Sequence, residues 1–249
     1  QAEGTDPPYS KADIQECIKH VVDIGHGEKT DIAPDIKISM ENAGHILGSS
    51  SVYMHIGEGS HEHRLLFSGD IKYEKSWLFD AATVRFPKAD TLVIESTYGG
   101  PQDFQPNRID ATHEIQDLVK LAVSRSGKIF CPVFAVGRSQ EVMLAIDQLF
   151  KSGEVTPITV WLDGMISEAT AIHASHPDYL NRDLRKQVLR GGEENPFNSP
   201  WFKQVDSREQ RDSILNDPSP CIVLATSGMM TGGPIMEYFK NWAPELNNT

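Results

Sequence analysis

The chain has 249 residues, 39% hydrophobic and 23% charged, with a formal net charge of −12. That length and apolar content allow one large domain or two small ones around a packed core. The acidic balance, taken alone, argues against a nucleic-acid partner. No apolar run reaches about 18 residues, the length a membrane span needs, and no signal-peptide pattern opens the sequence, so a soluble protein without a membrane partner is expected. Three cysteines, Cys17, Cys131 and Cys221, lie far apart without C-x-x-C spacing. They read as free thiols of a reducing, cytoplasmic protein.

In chain order, residues 1–10 read as a linker. Ile14, Cys17, Ile18, Val21 and Val22 recur at helical spacing after Ser10, which suits an N-cap. Strands are expected at 36–40, 51–56, 64–67 and 91–94. The turn between the second and third carries His61 and His63, an H-x-H pair that reads as a solvated turn. Residues 72–86 read as a loop with an irregular helix that sends Trp77 and Leu78 inward, and 101–106 as a connector. Beyond it, helices are expected at 108–125 (inner face Ile109, Ile115, Leu118, Val119, Ala122), 138–150 and 166–175. They alternate with strands at 128–134, 158–162 and 221–225. Residues 181–219 form a polar excursion with short helices, anchored by Trp201 and Phe202. Continuous apolar strands separated by helices imply a parallel, Rossmann-like sheet covered on both faces.

Three strands in the first part end beside residues able to hold a metal. His45 follows the first, Asp70 follows 64–67, and Glu95 ends 91–94; 25 residues separate each from the next. Rigid strand ends that present such side chains to solvent are how a sheet builds a metal site. In the second part, ligands of a parallel sheet bind past the carboxyl ends of its strands. The loops there are 135–139, 163–167 and 226–233. Gly137-Arg138-Ser139 opens a helix, so free N–H groups and the guanidinium suit a phosphate; a plain cap with a surface arginine is the other reading. Thr226-Ser227-Gly228 offers hydroxyl and backbone donors, or only a tight turn. Asp163 reads as a helix cap, and His173 with His176 as a helix-end pair.

Taken together, Ala43-Gly44-His45-Ile46-Leu47-Gly48-Ser49, Ser68-Gly69-Asp70 and Glu95-Ser96-Thr97-Tyr98-Gly99 resemble motifs of the metallo-β-lactamase superfamily, and of its β-CASP nucleases in particular. Pro132-Val133-Phe134-Ala135-Val136-Gly137-Arg138-Ser139-Gln140-Glu141 and Ala225-Thr226-Ser227-Gly228-Met229-Met230-Thr231-Gly232-Gly233-Pro234 agree, and point to archaeal homologues of the cleavage and polyadenylation specificity factor nuclease. The resemblance implies an α/β fold. Residues 1–100 would be the later half of a metallo-β-lactamase (αββα) domain, and 101–249 a β-CASP domain with a parallel sheet.

The same resemblance implies a zinc-dependent ribonuclease acting near transcript 3′ ends, with two zinc ions in the complete site. His45 would bind one zinc, Asp70 would bridge both, and Glu95 would orient a ligand histidine or handle a proton. Arg138, Ser139, Ser227 and Gly228 would hold single-stranded RNA. A homodimer and the transcription machinery are further partners it implies for the full-length form. The superfamily's H-x-H-x-D-H motif and two later histidines are absent, so the chain reads as an internal piece that lacks most zinc ligands. A non-catalytic β-CASP scaffold or RNA-binding subunit is the alternative. A small-molecule hydrolase of the superfamily fits the long second domain poorly.

Overall fold

The computed structural model describes residues 8–105 and 107–249, so most of the expected linker at 1–10 and the end of the connector at Pro106 lie outside the described residues. Helix α1 (Lys11–Lys19) begins where the sequence places it. The Ser10 hydroxyl accepts from the Asp13 N–H, and the Asp13 carboxylate accepts from the Ser10 N–H. Such reciprocal capping stabilises a helix start by about 1 kcal/mol. The helix stops at Lys19, short of Val21 and Val22, and buries no residue.

Strands β1 (Lys29–Ala33), β2 (Ile36–Asn42), β3 (Ser50–Ile56), β4 (His63–Phe67) and β5 (Thr91–Val93) form one sheet in that order. The first four make an antiparallel meander, and β5 joins β4 in parallel. Strand β1 has no counterpart in the sequence reading. Its residues Lys29, Thr30 and Asp31 carry no apolar alternation, and it pairs only along the edge of β2. His61 ends a short 3-10 turn and is exposed, while His63 sits on β4 with its Nε2 3.0 Å from Thr91 Oγ1.

Between β4 and β5, residues 72–86 form no helix. The Ser76 hydroxyl accepts from the N–H groups of both Leu78 and Phe79, which diverts them from helical bonding. The Asn181 side-chain amide donates to Ser76 O and Trp77 O and pins this turn to the second half of the chain. Leu78 and Phe79 are buried there, with Trp77 packed beside them. The inward residues are as expected, but their backbone is not.

Strands β6 (Ile129–Pro132), β7 (Val160–Asp163), β8 (Phe202–Gln204) and β9 (Ile222–Ala225) form the second sheet, wholly parallel, in the order β6-β9-β7-β8. Helices α2 (Arg108–Ser124), α3 (Arg138–Ser152), α4 (Ile166–Ser175), α5 (Arg182–Arg190), α6 (Arg208–Asn216) and α7 (Ile235–Trp242) surround it. Strand β9 shows why both faces are covered. Ile222 and Leu224 join Val133, Met143, Ile146 and Leu149 on one side, whereas Val223 and Ala225 join Ile214, Ile235, Tyr238 and Trp242 on the other. The expected α/β organisation with a parallel second sheet is the one observed.

Helix α2 is less inward than its periodicity suggests. Thr112, Val119 and Ala122 are buried, but Ile109 and Leu118 are exposed. Helix α7 follows the 226–233 loop, where the sequence offers a strand-to-helix turn as one reading but sets no bounds for the helix. Strand β8 was not expected; it lies in the polar excursion and contributes Phe202, packed with Trp201 against the core. Among the described residues no helix is long and apolar enough to cross a membrane.

Candidate functional site

Strands β2 and β4 both run antiparallel to β3, and β5 is parallel to β4, so the carboxyl ends of β2, β4 and β5 share one edge. Asn42 ends β2, and its side chain accepts from the Gly44 N–H and donates to Asp80 O and Ala81 O. The Ser49 hydroxyl accepts from the N–H groups of His45 and Ile46, at 3.1 and 3.2 Å, which closes a tight loop with His45 on its rim. Gly44 has φ +68, and a β-carbon there would stand 2.6 Å from Lys72 O and 2.9 Å from Ala82 N. Gly44→Ala is therefore expected to destabilise the protein by roughly 1–3 kcal/mol, through positive-φ strain and backbone displacement. Urea denaturation would read this, and an unchanged midpoint would contradict it.

Asp70 follows β4 by way of Gly69, whose φ is +58. The His45 Nε2 and Asp70 Oδ2 atoms are 3.7 Å apart, and both side chains are substantially exposed. Glu95 follows β5. Its N–H donates to Ser68 Oγ, and its carboxylate accepts from the N–H groups of Ile71 at 2.8 Å and Thr97 at 3.3 Å. Hydrogen bonds from Thr97 and Ile71, with His45 close by, hold its carboxyl below the usual carboxylate range. The three residues expected at strand ends thus share one sheet edge.

As a zinc site this edge is partial. Zinc takes about four donors at roughly 2.0–2.3 Å. Two atoms 3.7 Å apart suit neighbouring positions on one ion, but they are two donors only. Among the described residues no group of three or more His, Cys, Asp or Glu side chains is placed to hold a metal. The described residues do not by themselves fit a zinc ion, still less two.

At the second sheet, the expected loops meet past the strand ends. A β-carbon on Gly228 would lie 2.9 Å from Phe134 N, and one on Gly164 would clash with the Thr226 side chain. Gly137, with φ +83, starts α3, and a β-carbon there would lie 3.3 Å from Ile46 Cγ2. The His45 loop therefore abuts the N-terminus of α3. Ser139 is fully buried and its hydroxyl donates to Ala135 O. In this arrangement its side chain braces the loop and is closed to an RNA strand, contrary to the expectation of a contact. Ser227 is half-buried, its hydroxyl 3.3 Å from Gly232 O. Arg138 is exposed, yet one arm of its fork donates to Glu141 Oε2 at 2.6 Å, while Arg108 donates to Glu141 Oε1 at 2.5 Å. Burial, and then the charge of Arg138, hold the nearby Lys72 ammonium below the usual lysine range.

Asp163 does not cap α4. It is buried and accepts two hydrogen bonds from Arg211, at 2.7 and 2.9 Å, and one from the Tyr238 hydroxyl at 2.8 Å. Burial and the Asp163 charge push the Tyr238 hydroxyl well above the usual tyrosine range.

His173 and His176 do form a helix-end pair. His173 is 1% exposed and its Nδ1 lies 2.7 Å from Ala169 O, while its Nε2 has no partner among the described residues. Burial holds its imidazolium below the usual value of 6.5. The folded state thus prefers the neutral ring. This contribution is complete above about pH 6.5 and is lost on acidification, as the unfolded chain takes up the proton first. Stability should fall between pH 7.5 and 5.5, and the fall should be smaller in His173→Gln. Equal slopes for the two proteins in urea melts at the two pH values would refute this.

Residues 139–249 match the Beta-Casp domain family. Over nearly its whole length the chain is similar to archaeal proteins called transcription termination factor FttA. It is 50% identical over 247 residues to that of Methanosarcina mazei, covering 99% of this chain and 38% of the relative. It is 46% identical over 246 residues to that of Methanocaldococcus jannaschii, covering 99% and 38%. For Thermococcus kodakarensis the identity is 44% over 246 residues, covering 99% and 37%. The chain therefore spans less than two-fifths of the length of these relatives.

Proposed function

Because residues 139–249 match the Beta-Casp domain family, in a chain similar along nearly all its length to archaeal proteins called termination factors, we propose that it is part of a zinc-dependent ribonuclease. The complete protein would hydrolyse phosphodiester bonds of single-stranded RNA during transcription termination or 3′-end processing, in contact with the transcription machinery. The observation that carries this reading is the convergence of His45, Asp70 and Glu95 on one strand edge, against the N-terminus of α3. The reading divides the chain near residue 100, with a partial metallo-β-lactamase domain before it and the β-CASP domain after.

In the complete site, zinc would supply an acidified water and stabilise charge on the scissile phosphate. His45 offers an imidazole nitrogen and Asp70 a carboxylate oxygen as two of the donors; the rest would come from outside this chain. Glu95 is ionised at neutral pH, and its carboxylate is fixed by two N–H groups, so it can orient a neighbouring donor or accept a proton. Arg138 and the turn at Ser227 and Gly228 would hold the strand past the carboxyl ends of the second sheet. Dimerisation would belong to the complete protein. The partly buried Cys131 and buried Cys221, whose thiols burial pushes up to about 11, suit a reducing cytoplasm.

A second reading is a scaffold that binds RNA without cutting it, and the retention of His45, Asp70 and Glu95 together argues against it. Zinc content and cleavage of a labelled single-stranded RNA by the complete protein separate the two. Two zinc ions per chain with cleavage supports the nuclease. Neither, with RNA still bound, supports the scaffold.

A further inference from the structure

The net charge of −12 makes any concentration of positive charge notable, and the structure holds one where the two halves of the chain meet. Glu141, on the first turn of α3, has two carboxylate oxygens. Arg108 from α2 occupies Oε1 and Arg138 occupies Oε2. Both oxygens already have a guanidinium partner, and Lys72 stands nearby as a third cation. It is half-buried and makes no ion pair within 4 Å among the described residues. Against Glu141 and Glu74, whose charges both act on Lys72, the three cations leave a surplus of one positive charge.

The backbone fixes where this surplus lies. Lys72 is two residues beyond Asp70; its N–H donates to Ala43 O at 2.8 Å, and its carbonyl lies against Gly44. Gly137, immediately before Arg138, lies against Ile46. Lys72 and the residue before Arg138 therefore both lie against the loop that carries His45. A staple of α2 to α3 needs one guanidinium and one carboxylate. A second guanidinium and an unpaired, half-buried ammonium add repulsion and desolvation to such a staple. An anion entering between them would relieve both, and the amino-terminal dipole of the 15-residue α3 favours the same charge.

We infer that Arg108 and Arg138, which Glu141 holds together, and the neighbouring Lys72 form a cradle for a backbone phosphate of single-stranded RNA beside the His45–Asp70 edge. This rests on the nuclease reading for its occupant, though not for its affinity for phosphate. The cradle gives the strand a counter-charge where Asp70 and Glu95 would otherwise repel it. Glu141 is a positioning residue: it keeps the two guanidiniums from separating and leaves their remaining donors to the phosphate.

The test uses the complete protein and two probes, a labelled single-stranded RNA and inorganic pyrophosphate. Lys72→Met keeps the length of the side chain and removes its charge. It should weaken RNA binding several-fold at moderate salt and lower the slope of log affinity against log salt by about 0.7, the release expected for one single-strand phosphate contact. Lys72→Arg should restore both. Pyrophosphate binding, read by titration calorimetry, should weaken in the same variant.

If the wild type binds RNA and Lys72→Met leaves both affinity and slope unchanged, the cradle is wrong and the RNA reading stands. If the wild type ignores RNA but binds pyrophosphate in a Lys72-dependent way, the cradle stands and the RNA reading falls. If neither probe binds, both fall. Arg108→Lys serves as a second variant. It should keep the charge and the salt slope, and a folded variant with a lowered slope would count against the cradle.

Discussion

Replacing Asp70 with alanine in the complete protein should remove RNA cleavage while leaving the fold and RNA binding nearly intact. Asp70 is substantially exposed just past the end of its strand, and its side chain faces His45, 3.7 Å away. Surface positions of this kind shift stability by less than about 0.5 kcal/mol when truncated. A large loss of activity would therefore be a loss of chemistry and not of structure. Removing a residue that merely orients a metal ligand costs roughly 10–100-fold in metal affinity or activity. A residue that donates directly to the metal should exceed that range, and zinc content should drop with it. The measurements are cleavage rate, zinc per chain and thermal midpoint, each beside the wild type. An active, zinc-replete Asp70→Ala would remove Asp70 from the site. An inactive variant with a lowered midpoint would show that the position supports the fold, and that its geometry has been misread.

What the sequence made legible was local. His45, Asp70 and Glu95 could be placed because each follows an apolar run that stops, and strand ends on one edge converge whatever else the chain does. Ile222 to Ala225 could be read as a buried strand because an unbroken apolar run of that length has few other uses. Strand β1 carried no such signal, since an edge strand with exposed side chains has no inner face to pattern. Ser76 broke the expected helix through two hydrogen bonds that periodicity cannot register. Ser139 was misplaced for a related reason. A serine in the first turn of a helix faces either outward to a ligand or inward to its own loop, and only the packing of Ala135 decides. The cations show the same limit: Arg138 was visible beside a glycine, whereas Arg108 joins it on Glu141 from another helix and Lys72 comes near from a loop far apart in sequence.

Asp163 takes that limit furthest, and its replacement should have the largest effect on stability. Arg211 is 48 residues away, inside a stretch that reads only as polar, so the sequence offered an aspartate before a helix and nothing to pair with it. In the fold Asp163 is 1% exposed and receives two hydrogen bonds from Arg211 and one from Tyr238. Asp163→Ala leaves a largely buried guanidinium with Glu237 at 3.6 Å as its remaining ion partner, and a buried tyrosine hydroxyl without its acceptor. Removing one member of a buried ion pair typically costs about 3–5 kcal/mol, most of it the stranded charge. The double variant Asp163→Leu with Arg211→Met should recover much of that loss, because it strands no charge and leaves only the Tyr238 hydroxyl without its acceptor. Chemical denaturation of the single and double variants reads both values. A single-variant loss below about 1 kcal/mol would mean that water already reaches the pair. The consequence extends to the loops. Asp163 O accepts from the Thr226 N–H, and Gly164 lies against the Thr226 side chain, so the turn bearing Ser227 and Gly228 rests on the backbone of the residue that the ion pair holds in place. RNA affinity should therefore weaken in Asp163→Ala and return in the double variant, a recovery expected only if the pair acts by holding the loop.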